Sequence, residues 1–358
     1  GGYTFLMKFA NGKVTVAGDT AVAAPTERAT SSYTVDCSMG PVLSFNTYND
    51  IFHFLGEPTY GEIEGEQGDW EFVITKLTED SIFVKGKKWE NEMVFTRMAD
   101  GVDWTSYLDS IADVQKRLAV NYSVGNSSDA SKMVEINSAT RRILSRTADG
   151  QMVEQPFYVT PTGIHAVNEP VALGEDKAQD FLVSKAGVLT AKDNENLTLN
   201  SYAPGIDTWV GNWTLSAMQG SCDMTISKVE DQENMLKGTF TAGGYTYNIG
   251  LSFNPETGAL NLPSQLIDDP SGRYPALWLM NADLNKGTLL GQGGMNVVWH
   301  GVSQEGDFED DGTLASEGYA SDTFIALACT AKGEPIKENN QYVFVIEWYY
   351  LSNLTPNK

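Results

Sequence analysis

The sequence predicts a mostly β protein of two antiparallel β-domains, barrel- or sandwich-like and lipocalin-like in the barrel case, with one helix after the first meander. Three observations predict it. Short runs in which apolar and polar residues alternate recur along the chain, each bounded by Gly, Asn, Asp or Pro. A single segment carries helical spacing instead. The 358 residues exceed the roughly 250 to 300 at which one hydrophobic core stops growing, and a chain 41% hydrophobic and 11% aromatic has material for two.

Tyr3, Phe5, Met7 and Phe9 alternate with Thr4, Leu6 and Lys8, and Asn11-Gly12 separates them from Val14 and Val16, which spells a β-hairpin. The same logic gives strands near Val42 to Thr47, Trp70 to Thr75, Ser81 to Lys87 and Met93 to Arg97, a meander. Trp104, Tyr107, Leu108, Ile111, Val114 and Leu118 then recur at helical intervals between Asp103, Asp109, Asp113 and Lys116, so residues 102–119 read as a helix. Beyond it, Phe157 to Thr160, Gly163 to Val167, Asp180 to Ser184 and Leu197 to Ser201 read as strands again.

Tyr202-Ala203-Pro204-Gly205 interrupts every periodicity, so the predicted domains are residues 1–204 and 205–358. The second carries strand patterns at Trp213 to Met218, Cys222 to Val229, Leu236 to Thr241, Tyr245 to Phe253, Ala276 to Asn281, Asn296 to His300, Thr323 to Ala331 and Tyr342 to Leu351. Antiparallel strands in such number close into a barrel or stack as a two-sheet sandwich.

Charge narrows the partners. Against 47 acids stand 24 Lys and Arg, and a net charge of -23 repels phosphate backbones and anionic membrane surfaces, so nucleic acid is not expected as a partner. Cys37, Cys222 and Cys329 fall in no CxxC or CxxH spacing, which removes zinc and thioredoxin-like chemistry. Cys222 and Cys329 are read either as a disulfide or as apolar thiols. No run approaches the roughly 18 apolar residues of a membrane helix. Gly1-Gly2-Tyr3 leads straight into a strand, as expected if an export signal has been removed upstream.

Five strings stand out in order: Gly1-Gly2-Tyr3, Ser31-Ser32-Tyr33, Gly40 to Asn49 followed by Phe52-His53-Phe54, Gly68-Asp69-Trp70-Glu71-Phe72, and Gly86-Lys87-Lys88. Together, over residues 1–98, they resemble a Bacteroidetes lipoprotein family catalogued as domain of unknown function 4302. The resemblance implies export and an outer-membrane lipid anchor on a processed cysteine upstream of Gly1, facing the cell surface or the periplasm. It also implies a setting among outer-membrane uptake proteins as partners. It transfers no catalytic residue, because the family has no established activity.

Among candidate residues, Tyr48 and His53 place polar and aromatic groups together at a strand end, where loops carry binding groups; the same residues also suit a turn packed on a core. Asp69 and Glu71, two apart on an expected strand with Trp70 and Phe72 inward, would set carboxylates about 7 Å apart, a separation within the reach of glycosidase pairs. Lys87 and Lys88 are expected to pair with them across the sheet. Asp307, Glu309 and Asp311 before Gly312 form half of an EF-hand-like loop, a candidate Ca²⁺ site lacking its closing bidentate acid; no other cofactor is expected. His165 and His300 are read as structural, and no HExxH, GxSxG or P-loop string is present, so no catalytic residue is assigned. Trp278, Trp299 and Trp348 make the second domain aromatic and either stack on sugars or fill its interior.

These readings point first to a non-catalytic surface protein that binds a glycan or other nutrient for uptake. Two alternatives stand beside it: a carboxylate-dependent hydrolase, and a scaffold contacting other outer-membrane proteins.

Overall fold

A computed structural model describes residues 2–37, 40–58 and 63–357; Gly1 of the opening string lies outside the described residues. About half the residues are in strands, and Trp104–Gln115 is the α-helix among the described residues. The protein is mostly β, as its alternation predicts.

The chain divides by internal contacts into two compact units that interleave in sequence. The first comprises Gly1–Ala119, Ile136–Leu144 and Glu154–Leu199; the second comprises Val120–Glu135, Ser145–Val153 and Asn200–Lys358. The first opens with an antiparallel seven-stranded meander of Phe5–Ala10, Lys13–Gly18, Ala29–Asp36, Val42–Phe45, Glu71–Leu77, Ser81–Gly86 and Glu92–Thr96. Its first hairpin turns on Asn11 and Gly12, both at positive φ, 50° and 72°, with Ala10 facing Lys13. That is the mirror-image turn whose twist matches the strands. Val14, Val16, Leu43, Phe45, Ile51, Phe52, Phe72 and Val84 form this sheet's core. The run of Thr and Ser in Ala29–Asp36 weakens its alternation, so the pattern does not show this strand.

The helix is shorter than the 102–119 expectation. Asp103 caps it, accepting from Thr105 N at 3.2 Å and Ser106 N at 3.4 Å. Leu108, Ile111 and Val114 face inward, and past Gln115 the backbone tightens into i→i+3 bonds at Arg117 and Leu118.

Two sheets close into eight-stranded barrels. One runs through Asn121–Val124, Met133–Asn137, Arg142–Arg146, Met152–Thr160, Gly163–Ala166, Asp180–Val183, Leu189–Ala191 and Asn194–Ser201. The other runs through Gly211–Ala217, Gly220–Lys228, Met235–Ala242, Tyr245–Phe253, Leu260–Pro263, Gly294–His300, Glu305–Asp310 and Asn353–Pro356, its first strand pairing its last through Trp213↔Pro356 and Leu215↔Leu354. The strand patterns at Ala276, Thr323 and Tyr342 do not enter this barrel. Ala276–Asp283, Thr323–Cys329 and Phe344–Trp348 instead build a separate five-stranded sheet with Gln265–Ile267 and Thr288–Leu290. Thr323–Cys329 is buried along its whole length, the pattern of a central strand covered on both faces. Cys222 and Cys329 are free thiols, half-buried and buried, so the disulfide alternative is not realised.

One buried ion pair lies within the first unit. Arg141, in the left-handed region at φ 55°, sets Nη1 3.1 Å from Asp19 Oδ2, and both side chains are buried. Asp19 Oδ1 also accepts from Thr4 N at 2.7 Å. Burial pushes the Asp19 carboxyl up to about 6, with the guanidinium and the Thr4 N–H pulling the other way. A carboxyl raised above its unfolded value contributes stability at low pH that is lost as pH rises through the folded pKa. Removing Arg141 raises it further. Arg141→Met is therefore expected to cost about 3 to 5 kcal/mol in urea unfolding at pH 7.5, and markedly less at pH 5, where Asp19 takes up a proton; an equal cost at both pH values would contradict this.

Candidate functional site

Asp69 organises the loop end of the meander. Its buried carboxylate accepts from Lys88 N at 2.9 Å, Trp89 N at 3.1 Å, Asn91 N at 3.3 Å and Asn91 Nδ2 at 2.9 Å. Gly86 must be glycine: a Cβ there would stand 1.9 Å from Asp69 Oδ2. The strings Gly68-Asp69 and Gly86-Lys87-Lys88 are thus two halves of one hydrogen-bonded knot.

This overturns the paired-acid geometry. Asp69 points inward and has its acceptors occupied, while Glu71 is exposed and pairs with Lys87 Nζ at 3.1 Å, as the cross-strand expectation had it. Lys88 instead sets Nζ 4.3 Å from the Trp89 ring centre. Trp70 is corrected too. With both Asp69 and Phe72 buried, two-residue alternation breaks between them, and Trp70 turns outward at 40% exposure.

A second knot holds the facing loop. Asn49 is buried; its Oδ1 accepts from Ile51 N and Phe52 N, each at 3.2 Å, and its Nδ2 donates to Ser31 Oγ at 3.2 Å. His53 Nδ1 lies 3.1 Å from Asn49 N and 3.3 Å from Asn49 O, so the ring is held by the Asn49 backbone. Burial lowers the His53 pKa, so the ring is neutral near pH 7. Ser31, Asn49, Phe52 and His53 are brought together by these bonds, and Phe45 and Phe72 pack on Phe52 at 4.5 and 6.2 Å.

The two knots bring Tyr48, His53 and Trp70 into one strip. Ring centres of Tyr48 and His53 lie 5.4 Å apart and those of His53 and Trp70 5.7 Å apart, with interplanar angles of 31° and 34°. Gly56 lets the indole settle, since a Cβ there would lie 2.6 Å from Trp70 Cζ3. Tyr48 is 57% exposed, and its hydroxyl donates to Glu57. The strip is apolar on its faces and polar at its edge. Tyr48 and His53 are legible in the sequence as candidates; the outward side of Trp70 is not, because it depends on the break at Asp69.

The second unit treats its predicted site residues differently. Trp299 and Trp348 are core residues, 6% and 8% exposed. Trp299 packs on Trp209 and Trp213 at 5.4 and 6.1 Å, and Trp348 on Phe240 at 4.7 Å. Each sits at an inward position of its strand, so neither presents a face for stacking. Trp278 is half-buried, and its buried Nε1 has no hydrogen-bond partner among the described residues.

Asp307, Glu309 and Asp311 do not form a loop, because Glu305–Asp310 is an extended strand. Asp307 Oδ2 lies 3.3 Å from His300 Nε2, Glu309 is exposed, and Asp311 accepts from Thr313 N at 2.9 Å. Among the described residues no three His, Cys, Asp or Glu side chains converge as a metal shell.

His300 sits in a cluster of acids. Its Nδ1 lies 3.4 Å from Glu135 Oε2, and the approach of Nε2 to Asp307 is a charge contact rather than a directed hydrogen bond. Burial opposes its charge, but Glu135, Asp307 and Glu305 outweigh that and raise its pKa; burial likewise raises the Asp307 pKa, aided by Glu135 and opposed by His300. Glu135 Oε1 accepts from Val302 N and, at 2.8 Å, from Ser303 N, while Asn121 Oδ1 accepts from Gly301 N at 2.7 Å. The cluster's acceptors hold a hairpin turn. His165 is half-buried, its Nδ1 2.9 Å from Asp180 Oδ1.

The model of an uncharacterised family, domain of unknown function DUF4302, matches residues 1–185, half of the chain and all of the aromatic strip. No curated protein and no solved structure matches the sequence.

If the Asp69 knot sets the strip, Gly86→Ala should lower unfolding free energy by about 3 kcal/mol or more, and Asp69→Ala by a similar amount. Near-wild-type denaturation midpoints for both would show the knot to be dispensable.

Proposed function

The chain belongs to the DUF4302 family of uncharacterised domains, and on that premise we propose that it is a non-catalytic glycan-binding protein of the cell surface, serving an outer-membrane uptake system. The observation that carries the reading is the exposed Tyr48–His53–Trp70 strip. The two exposed rings, Tyr48 and Trp70, offer apolar surface to the C–H face of a pyranose. At the rim, Glu57 accepts a sugar hydroxyl and the neutral His53 imidazole adds a polar edge. Hydrolysis is not favoured, because Asp69 is engaged by four donors from the Lys88–Asn91 turn and Glu71 by Lys87. The surface location and the lipid anchor rest on the motif strings of residues 1–98.

Affinity electrophoresis over a panel of neutral polysaccharides is expected to retard the protein on at least one polymer. Stacked rings and a short polar rim give affinities of about micromolar to millimolar. Tyr48→Ala and Trp70→Ala should each weaken retardation about tenfold, with no reducing sugar released on long incubation. Retention indifferent to both changes would remove the strip as the site, and release of sugar abolished by Glu71→Gln would replace binding with hydrolysis. For location, the full-length reading frame should incorporate labelled palmitate and be removed from whole cells by added protease; a protein that does neither is not a surface lipoprotein.

A further inference from the structure

In the second unit, a row of polar side chains crosses the outer wall of the barrel. Ser252 faces Asn261, Asn261 faces Asn296, and Asn296 faces Glu309, each pair in register across neighbouring strands. At about 4.8 Å per strand the row spans about 14 Å. Beside it lies a hollow of about 430 Å³, backed by Phe253, Ala259 and Leu260 and walled by Asn254, Thr257 and Asp311. That volume falls in the range that holds a small ligand.

The wiring of the row is specific. Asn261 Nδ2 donates to Asn296 Oδ1 at 3.1 Å and to Asp311 Oδ2 at 3.4 Å. Asp311 Oδ1 is taken by Thr313 N, which fixes that carboxylate. The Asn254 carbonyl oxygen of the side chain is likewise used, accepting from Glu256 N at 2.9 Å and Thr257 N at 3.4 Å. Among the described residues an acceptor, Asn261 Oδ1, stays unspent beside two amide donors, Asn296 Nδ2 and Asn254 Nδ2, all half-exposed or exposed at the hollow. Adjacent sugar hydroxyls each donate and accept, so they need this mixture of fixed acceptors and donors. An anionic group would meet Asp311, with Glu309 facing Asn296 on the next strand, and no Lys or Arg lines the hollow among the described residues.

We propose that this hollow is a second binding subsite, taking the vicinal hydroxyls of an uncharged sugar unit through Asn261 and Asn296. The inference rests on the glycan reading for its ligand class but uses none of the same residues, so the two fail separately.

The test uses the full chain carrying Tyr48→Ala and Trp70→Ala, which removes the aromatic strip. Saturation-transfer NMR titrations are run with the methyl glycosides of glucose, galactose and mannose, and with methyl glucuronide. At least one neutral glycoside is expected to bind saturably. Asn261→Ala or Asn296→Ala, added to that background with an unchanged melting curve, should weaken binding at least tenfold, and the glucuronide should bind at least fivefold more weakly than its neutral counterpart. Absence of binding by every neutral glycoside in that background, or binding untouched by both Asn changes, would overturn the subsite. Failure of the aromatic strip reads out elsewhere, as polymer retardation that Tyr48→Ala and Trp70→Ala leave intact.

Discussion

The carboxylate of Asp69 is the constraint on which the exposed surface of the first unit depends. A buried charge is tolerated only where donors satisfy it, and here they come from the Lys88–Asn91 turn, so the loop before Glu71–Leu77 and the turn after Ser81–Gly86 are tied at one point. The same inward turn of Asp69 forces Trp70 out. An aromatic ring that would fill the core of a regularly alternating strand is thereby placed on the surface beside His53. Asn49 does the corresponding work on the facing loop, orienting His53 through its own backbone while Phe52 anchors the loop in the core. Two buried polar side chains thus preorganise three partly exposed rings, and a surface whose rings are already fixed gives up little conformational entropy on binding.

Closure solves a different problem in the second unit. A barrel leaves no unpaired edge, and the pairing of Gly211–Ala217 with Asn353–Pro356 makes the closure depend on residues some 140 positions apart. Tryptophan fills the interior at that seam: Trp209, Trp213 and Trp299 pack within 5.4 to 6.1 Å of one another, and the indole N–H groups of the first two donate to Gly258 O and Trp209 O. Buried indoles need such partners.

Much of this was legible in the sequence, and the failures share a cause. Alternation located most of the meander and the long barrel strands, and Asn11-Gly12 located its hairpin, because those signals are local. Short strands such as Leu189–Ala191 and Leu260–Pro263 carry too few residues to show a period. The acidic run at Asp307–Asp310 reads as a loop by composition, yet pairing with Gly294–His300 makes it a strand. Which way a ring faces is a matter of phase, and phase is lost wherever one residue breaks the alternation. Asp69 did so at Trp70, while Trp299 and Trp348 kept their strands' inward phase and went to the core. The residues of the strip were therefore visible as types but not as a surface.

The net charge of -23 bears on both proposed surfaces in the same way. From Tyr48 to Glu71 the sequence holds Asp50, Glu57, Glu62, Glu64, Glu66, Asp69 and Glu71 with no Lys or Arg, and the hollow beside Asn261 is lined by Asp311, with Glu309 opposite Asn296. Sulfated or uronic acid polymers would approach each surface against the field of the whole molecule, and that repulsion fades only as salt shortens its range to about 10 Å at 0.1 M. Rings recognise C–H faces and amides recognise hydroxyls, and neither interaction needs a charge on the ligand. Both proposed surfaces are therefore proposals for uncharged sugars, and the same net charge weighs against anionic ligands at each of them without any residue dedicated to excluding them.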